Sequence, residues 1–227
     1  MNLTAFASRE ALIEAATARL ADALRAGVAA NDEAFAALSG GSTPEPIYRA
    51  LAAQKLDWSK ITLALVDERN VPLSSPASNE AMIERAFAPA FAAGAEIKPM
   101  YFAAETVEAA ADSANSLYAP LRYEIALMGM GDDGHTASWF PNARGLDEAL
   151  SENTKRSVVA VNAPQAQGSA ERLTLTRTAL KRSRALILVI TGDAKRARLE
   201  QALSAQDAPV AALFKTGMPP IDVLWAA

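Results

Sequence analysis

The sequence predicts an α/β fold, a mostly parallel sheet flanked by helices, on three grounds. Short apolar runs alternate with helical segments, which is the order of βαβ units. Those runs lack in–out alternation, as expected of strands covered on both faces. Alanine is abundant along the whole chain and favours the helices such a sheet needs.

The elements follow in order. Ser8 can cap a first helix, with Glu10 near its positive end. Leu12, Ala16, Leu20 and Leu24 form one apolar stripe, and Gly27 is placed to end that helix. Residues 34–38 read as a short buried strand running into Ser39-Gly40-Gly41-Ser42-Thr43-Pro44, with Pro44 suited to the first turn of a helix over 45–53. A second strand over 61–66 ends in Asp67-Glu68-Arg69-Asn70. Helix is predicted over 79–91, a short strand over 97–102, and helix over 107–117. A third strand, 124–128, runs into Gly129-Met130-Gly131-Asp132-Asp133-Gly134-His135. Segments 158–161 and 172–176 are further short strands, and 185–190 is the strongest of all. It feeds Thr191-Gly192-Asp193 and a helix over 194–203, and 221–225 closes the set. With no repeat, low-complexity tract or linker, residues 1–227 read as one domain, with room for a small lobe spliced in.

Composition narrows the function. Hydrophobic residues are 51% of the 227 and charged residues 21%, enough apolar material for a core and too much for a disordered chain. With 22 Lys+Arg against 26 Asp+Glu the net charge is -4, so no basic excess points to nucleic acid or an anionic membrane. Cysteine is absent, which removes disulfides, thiolate metal sites and Cys nucleophiles. His135 is the one histidine, so a conventional zinc shell cannot be assembled, whereas an all-oxygen cation site stays open. Charges at Arg9, Glu10, Glu14, Arg19 and Asp22 break any leader-like apolar stretch. No apolar run reaches the roughly 18 residues of a membrane span. The expectation is a soluble, cytoplasmic protein; the sequence leaves its oligomeric state open, with a monomer allowed.

In open parallel sheets, ligands bind beyond the carboxyl ends of the strands. Four such ends carry unusual polar residues: 40–44, 67–70, 129–135 and 191–195. In the first, Gly40 and Gly41 allow close backbone approach, and Ser42 and Thr43 bring hydroxyls to a helix start that attracts an anion such as phosphate; a capped glycine turn is the other reading. The loop lacks the Walker ending and, with Pro44 in the last place, misses the nucleophile elbow. Residues 129–134 match the dinucleotide fingerprint in letters only, because Asp132 and Asp133 would face a pyrophosphate. The glycines instead aim His135 at the crevice. His135 is either a general base or a structural hydrogen-bonder, and Asp133 is placed to fix its tautomer. Arg69 can hold phosphate or a developing oxyanion, or form a salt bridge with Asp67, Glu68 or Asp133. Lys195 sits in a first helical turn, where a bound anion would relieve its clash with the dipole; a solvated lysine is the alternative. Arg172 is a weaker candidate. Trp58, Trp139 and Trp225 read as core or rim, not as a stacking platform.

Ser39–Pro44, Val66-Asp67-Glu68-Arg69-Asn70-Val71, Ser78-Asn79, the run from Gly129 to Pro141, Arg172-Leu173-Thr174-Leu175-Thr176 and Thr191–Lys195 resemble, in order, the 6-phosphogluconolactonase family. The resemblance implies an NagB/RpiA-like fold, no required cofactor, and hydrolysis of 6-phospho-D-glucono-1,5-lactone to 6-phospho-D-gluconate in the oxidative pentose phosphate pathway; no metal-ligating residues are singled out. It implies a phosphate held by Gly41, Ser42, Thr43, Arg172 and Lys195, and a catalytic histidine at His135. The candidate sets are His135, Asp133 and Arg69 for catalysis, and Gly40, Gly41, Ser42, Thr43, Asp67, Arg172 and Lys195 for a phosphorylated sugar lactone. Trp139, where leucine is common, is expected to reshape the pocket wall, and the chain after Trp225 is abbreviated. Two other classes compete. An aminosugar-6-phosphate deaminase/isomerase would move a proton at C2 with Asp67 or Asp133, but its relatives carry a Glu-containing segment where this chain reads Ser138-Trp139-Phe140-Pro141. A sugar-phosphate sensor would carry a DNA-binding segment, and no basic helix-turn-helix is present.

Overall fold

The computed structural model describes residues 2–227. The first half of the chain forms β1 (Asn2–Phe6), α1 (Arg9–Asn31), β2 (Ala34–Leu38), α2 (Glu45–Ala52), β3 (Ile61–Leu65), β4 (Asp67–Arg69), α3 (Asn79–Ala86), α4 (Ala88–Ala92), β5 (Glu96–Lys98) and α5 (Val107–Tyr118). The second half forms β6 (Tyr123–Met128), α6 (Leu146–Leu150), β7 (Val158–Asn162), β8 (Glu171–Leu175), α7 (Arg177–Leu180), β9 (Ser183–Thr191), α8 (Asp193–Ala205) and β10 (Ile221–Ala226). Seven strands make one sheet in the order β1-β10-β9-β6-β2-β3-β5, every pair parallel. The carboxyl ends of β2, β6 and β9 therefore open on one edge. Among the described residues no helix is long and apolar enough to cross a membrane.

Three strands, β4-β8-β7, form a second, antiparallel sheet. This is the small lobe, and it corrects two expectations. The segment after β3 is a strand of three charged residues rather than a loop, and 172–176 pairs with it on one side and with 158–161 on the other, not with the main sheet. Val66 is the joint: its N–H donates to Leu38 O (2.9 Å) and its carbonyl accepts from Leu175 N–H (2.8 Å).

α1 is capped as expected, with Ser8 Oγ accepting from Ala11 N–H at 3.2 Å. It does not stop at Gly27. It continues to Asn31 and ends on Asp32 in the left-handed region, φ 63°. Gly27 lies buried inside the helix because a Cβ there would come within 2.5 Å of the Glu124 side chain and 2.9 Å of Ala34; its role is close packing of helix on sheet. The helix expected over 79–91 breaks at Phe87 into α3 and α4. The strand expected over 97–102 shortens to Glu96–Lys98 at the sheet edge. Pro44 stands at the start of α2 as expected, with helical backbone angles (φ -80°, ψ -20°) and its carbonyl accepting from Tyr48 N–H at 3.0 Å. Strand β1 and helices α6 and α7 had no clear sequence signal.

Candidate active site

The loop after β6 is folded around His135. Gly131 N–H donates to His135 O (2.9 Å), and Gly134 N–H donates to Gly131 O (3.0 Å), with Gly134 at φ 85°. Asp133 Oδ1 accepts from the backbone N–H of His135 (3.0 Å) and lies 2.6 Å from its Nδ1. A carboxylate can only accept while ionised, so this contact places the ring proton on Nδ1 and leaves Nε2 as the basic nitrogen. The ring rests on the Gly131 backbone, where a Cβ would approach His135 Cε1 to 2.1 Å. Phe140 stacks on the imidazole at 4.1 Å between centroids, 29° between planes.

Beyond His135 the chain turns sharply. Ala137 takes φ 51°, a conformation disfavoured for a residue with a Cβ. The turn sends Ser138 inward, where its hydroxyl donates to Asp67 Oδ2 at 2.6 Å. Trp139 is wholly buried and its indole N–H donates to Leu175 O at 2.9 Å. It braces the loop against β8 and does not form the pocket wall expected of it.

β4 supplies the next group. Glu68 is fully buried and accepts from four donors: Arg69 N–H (2.7 Å), Asn79 N–H (2.8 Å), Glu80 N–H (2.8 Å) and Ser78 Oγ (3.0 Å). Burial pushes this carboxyl above its ordinary range, and the four hydrogen bonds pull it back. Glu68 thus ties the N-terminus of α3 to the small sheet. Arg69 forms none of the three salt bridges, to Asp67, Glu68 or Asp133, that the sequence allowed. Its Nη1 donates to Ala77 O (2.6 Å) and Asn79 Oδ1 (2.7 Å), and its Nε is buried with no partner.

Asp67 is buried, and Arg172 Nη1 stands 3.9 Å from it. Arg172 is itself only 4% exposed. Its Nε donates to Ser169 O at 2.8 Å, its Nη2 donates to Gln167 O, and its guanidinium lies over the Phe140 ring at 5.4 Å. Burial lowers its affinity for the proton, which Asp67 partly offsets. Arg172 therefore holds the loop over 163–170 as well as facing Asp67. Lys195, in the first turn of α8, donates to Met130 O at 2.7 Å and stands 3.8 Å from Asp132. The loop after β2 is braced by Tyr48, whose hydroxyl donates to Ser39 O at 2.7 Å. Gly41 there takes φ 110°, Ser42 is exposed and Thr43 half-buried.

The structure thus connects the candidates through contacts: Gly40 to Asn79 to Arg69, Asp67 to Ser138 and Arg172, Arg172 through Phe140 to His135 and Asp133, and Lys195 to the His135 loop. Gly41, Ser42 and Thr43 stand beside this chain on the same sheet edge. Glu68 entered the sequence reading only as a salt-bridge partner. Asn79, Ser138 and Phe140 carried no role there, although all three lie inside the strings that carry the resemblance. A separate cleft of about 290 Å³ between α5, α6 and β7 has none of the candidates in its wall. Its arginines are engaged, Arg144 with Glu108 (3.4 Å) and Arg156 with Asp112 (2.6 Å).

A parallel α/β scaffold here gathers a carboxylate-oriented imidazole, a lysine and two arginines beyond its strand ends, a set of groups with the chemistry of an enzyme site for an anionic ligand. The chain belongs to the family described as glucosamine-6-phosphate isomerases/6-phosphogluconolactonase, whose pattern matches residues 7–225. It is 40% identical over 233 residues to the 6-phosphogluconolactonase of Rhizobium meliloti (strain 1021), covering 99% of this chain and 98% of that protein. The crystal structure of a 6-phosphogluconolactonase from Shewanella baltica OS155 superposes with a TM-score of 0.93 at 31% identity, covering 100% and 98% of the two chains. A monomeric glucosamine-6-phosphate deaminase of the NagB superfamily shares the fold, with a TM-score of 0.78 at 23% identity over 100% of this chain and 97% of its own.

Proposed function

We propose that this chain hydrolyses 6-phospho-D-glucono-1,5-lactone to 6-phospho-D-gluconate, in the oxidative pentose phosphate pathway and in the cytoplasm, with residues 1–227 acting as one catalytic domain. The observation that carries the mechanism is the 2.6 Å contact between Asp133 and Nδ1 of His135. With that nitrogen engaged, Nε2 takes a proton from water as the water attacks the lactone carbonyl. The resulting oxyanion is met by Arg69 or by backbone N–H groups of the glycine-rich loop. The imidazolium then returns the proton to the ring oxygen as the C–O bond breaks. Water supplies the nucleophile and the ring oxygen leaves as a hydroxyl, so the step balances on side chains and water alone.

The substrate phosphate is assigned to the 40–43 loop, Arg172 and Lys195. Fixing that remote group holds the carbonyl near His135, which lowers the barrier by orientation. The deciding experiment is a direct assay on freshly generated lactone, corrected for spontaneous hydrolysis. Turnover above that background is expected. Release of ammonia from glucosamine 6-phosphate instead would establish the deaminase, and tight sugar-phosphate binding without turnover would establish a sensor.

A further inference from the structure

We infer that Asn79 is a positioning residue that locks Arg69 to the loop carrying Gly40, so that the group meeting the oxyanion and the group meeting the phosphate keep a fixed spacing. This rests on the lactonase reading for its chemistry, and on geometry alone for the lock itself. The amide of Asn79 makes three contacts, each with a different part of the site. Its Oδ1 accepts from Arg69 Nη1 at 2.7 Å, and its Nδ2 donates to Asp67 O at 2.9 Å. It also lies against the backbone of Gly40, where a Cβ would come within 1.9 Å of Oδ1.

The contact at Gly40 explains why glycine stands there. Gly41 needs its glycine for a positive φ, but Gly40 does not; what position 40 lacks is room, and Asn79 fills that room. Nor does α3 need the side chain. Ser78 caps the helix by accepting from Ala81 N–H at 3.1 Å, and Glu68 takes up the Asn79 and Glu80 N–H groups. Asn79 is 3% exposed, and both polar atoms of its side chain are hydrogen-bonded to residues of β4 and neither to its own helix. A residue that only started the helix would not be built this way.

The oxyanion is absent from the bound substrate and develops only as water attacks, so displacing Arg69 lowers kcat more than it raises KM. The test is a double-mutant cycle of Asn79→Ala with Arg69→Lys, together with the Arg69 Nε–H resonance in NMR spectra, assigned by its loss in Arg69→Lys. Asn79→Ala is expected to lower kcat by about 10²-fold when Arg69 is present and by much less in the Arg69→Lys background. The Nε–H signal, protected from solvent in the wild type, is expected to shift and exchange faster. Asn79→Asp is isosteric and keeps an acceptor for Arg69 while losing the donor to Asp67; it is expected to retain the resonance and recover part of the rate, which also guards against an Asn79→Ala protein that does not fold. Equal losses of kcat in both backgrounds, or an unmoved Arg69 resonance in Asn79→Ala, overturns the inference. If the wild type fails to hydrolyse the lactone, the functional reading falls while the resonance still decides whether Asn79 holds Arg69.

Discussion

The two sheets solve opposite problems. In the seven-stranded sheet all six residues of β6 are buried, and β9 buries Leu186–Ile190 in succession. Apart from Glu124 of β6, which is paired with Arg184 (2.7 Å) and Asn31 (3.3 Å), the buried residues of these two strands need mainly backbone partners and apolar neighbours, and both are supplied by the parallel ladders and by helices such as α1. In the three-stranded sheet, β4 consists of Asp67, Glu68 and Arg69, with Asp67 and Glu68 buried. Each of those groups must find a partner among side chains and loops, because a buried polar group left unpaired is costly. The first sheet is therefore tolerant and generic, while the second is held by particular contacts. The difference teaches where function can be disturbed without unfolding the protein, and where it cannot.

The largest expected effect separates chemistry from scaffold. His135→Ala, on a loop leaving the large sheet, should lower kcat by about 10²–10⁴-fold, with little change in KM. Steady-state kinetics on the lactone measure this, and a wild-type kcat would remove His135 from the mechanism. Arg172→Ala comes next and reports on the small sheet. It strips the 163–170 loop of two donors and leaves Asp67 buried beside an empty space. Breaking such a buried contact costs about 3–5 kcal/mol, so denaturant unfolding should register a loss in stability along with a raised KM. Lys195→Ala should raise KM alone, since its main partner is one carbonyl on the His135 loop. If Arg172→Ala left stability untouched, the contrast between the sheets would fail.

Leu188→Ala probes the other side of the comparison. Leu188 lies mid-strand in β9, fully buried between Met128 and Val223. The change should cost about 2–5 kcal/mol from lost burial and a cavity, seen as a lower Tm, while kcat per folded molecule stays constant. A fall in kcat would mean that the large sheet does more than carry the site.

The same contrast governs what could be read from sequence. Apolar runs announced β2, β3, β6, β9 and β10, because burial on both faces leaves an unbroken hydrophobic string. They could not announce β4, whose three residues carry the composition of a loop and become a strand only because β8 offers its backbone. Nor could they give the sheet to which 158–161 and 172–176 belong, since pairing partners are set by tertiary context. Gly27 misled because the same residue serves helix ends and close packing, and only the contact with Glu124 tells them apart. At the site, the glycine-rich loop and its lone histidine were legible as local chemistry. Asn79 and Phe140 were not, because their roles depend on groups such as Gly40 and Arg172 that lie far away in the chain.

The smallest expected effect is a pH dependence that belongs to the small sheet's junction with α3. Glu80 stands in the first turn of α3, where the helix dipole favours a carboxylate. Burial, and then the charge of Glu68, nevertheless push it up to about 7. The folded protein thus holds a proton that the unfolded chain releases at an ordinary carboxyl value. Between about pH 4.5 and 7 the native state binds more protons than the unfolded one, so this group makes stability fall as pH rises and contributes no further change above that window. Glu80→Gln removes the titration and can keep an acceptor for the Met100 N–H. After allowance for solvent screening the expected gain at pH 8 is ~1 kcal/mol, or about 2–4 °C in Tm for a chain of this size, with no gain at pH 4. Paired thermal melts across that range measure the difference between variant and wild type. A gain that was the same at pH 4 and pH 8 would show that Glu80 does not retain its proton in the folded protein.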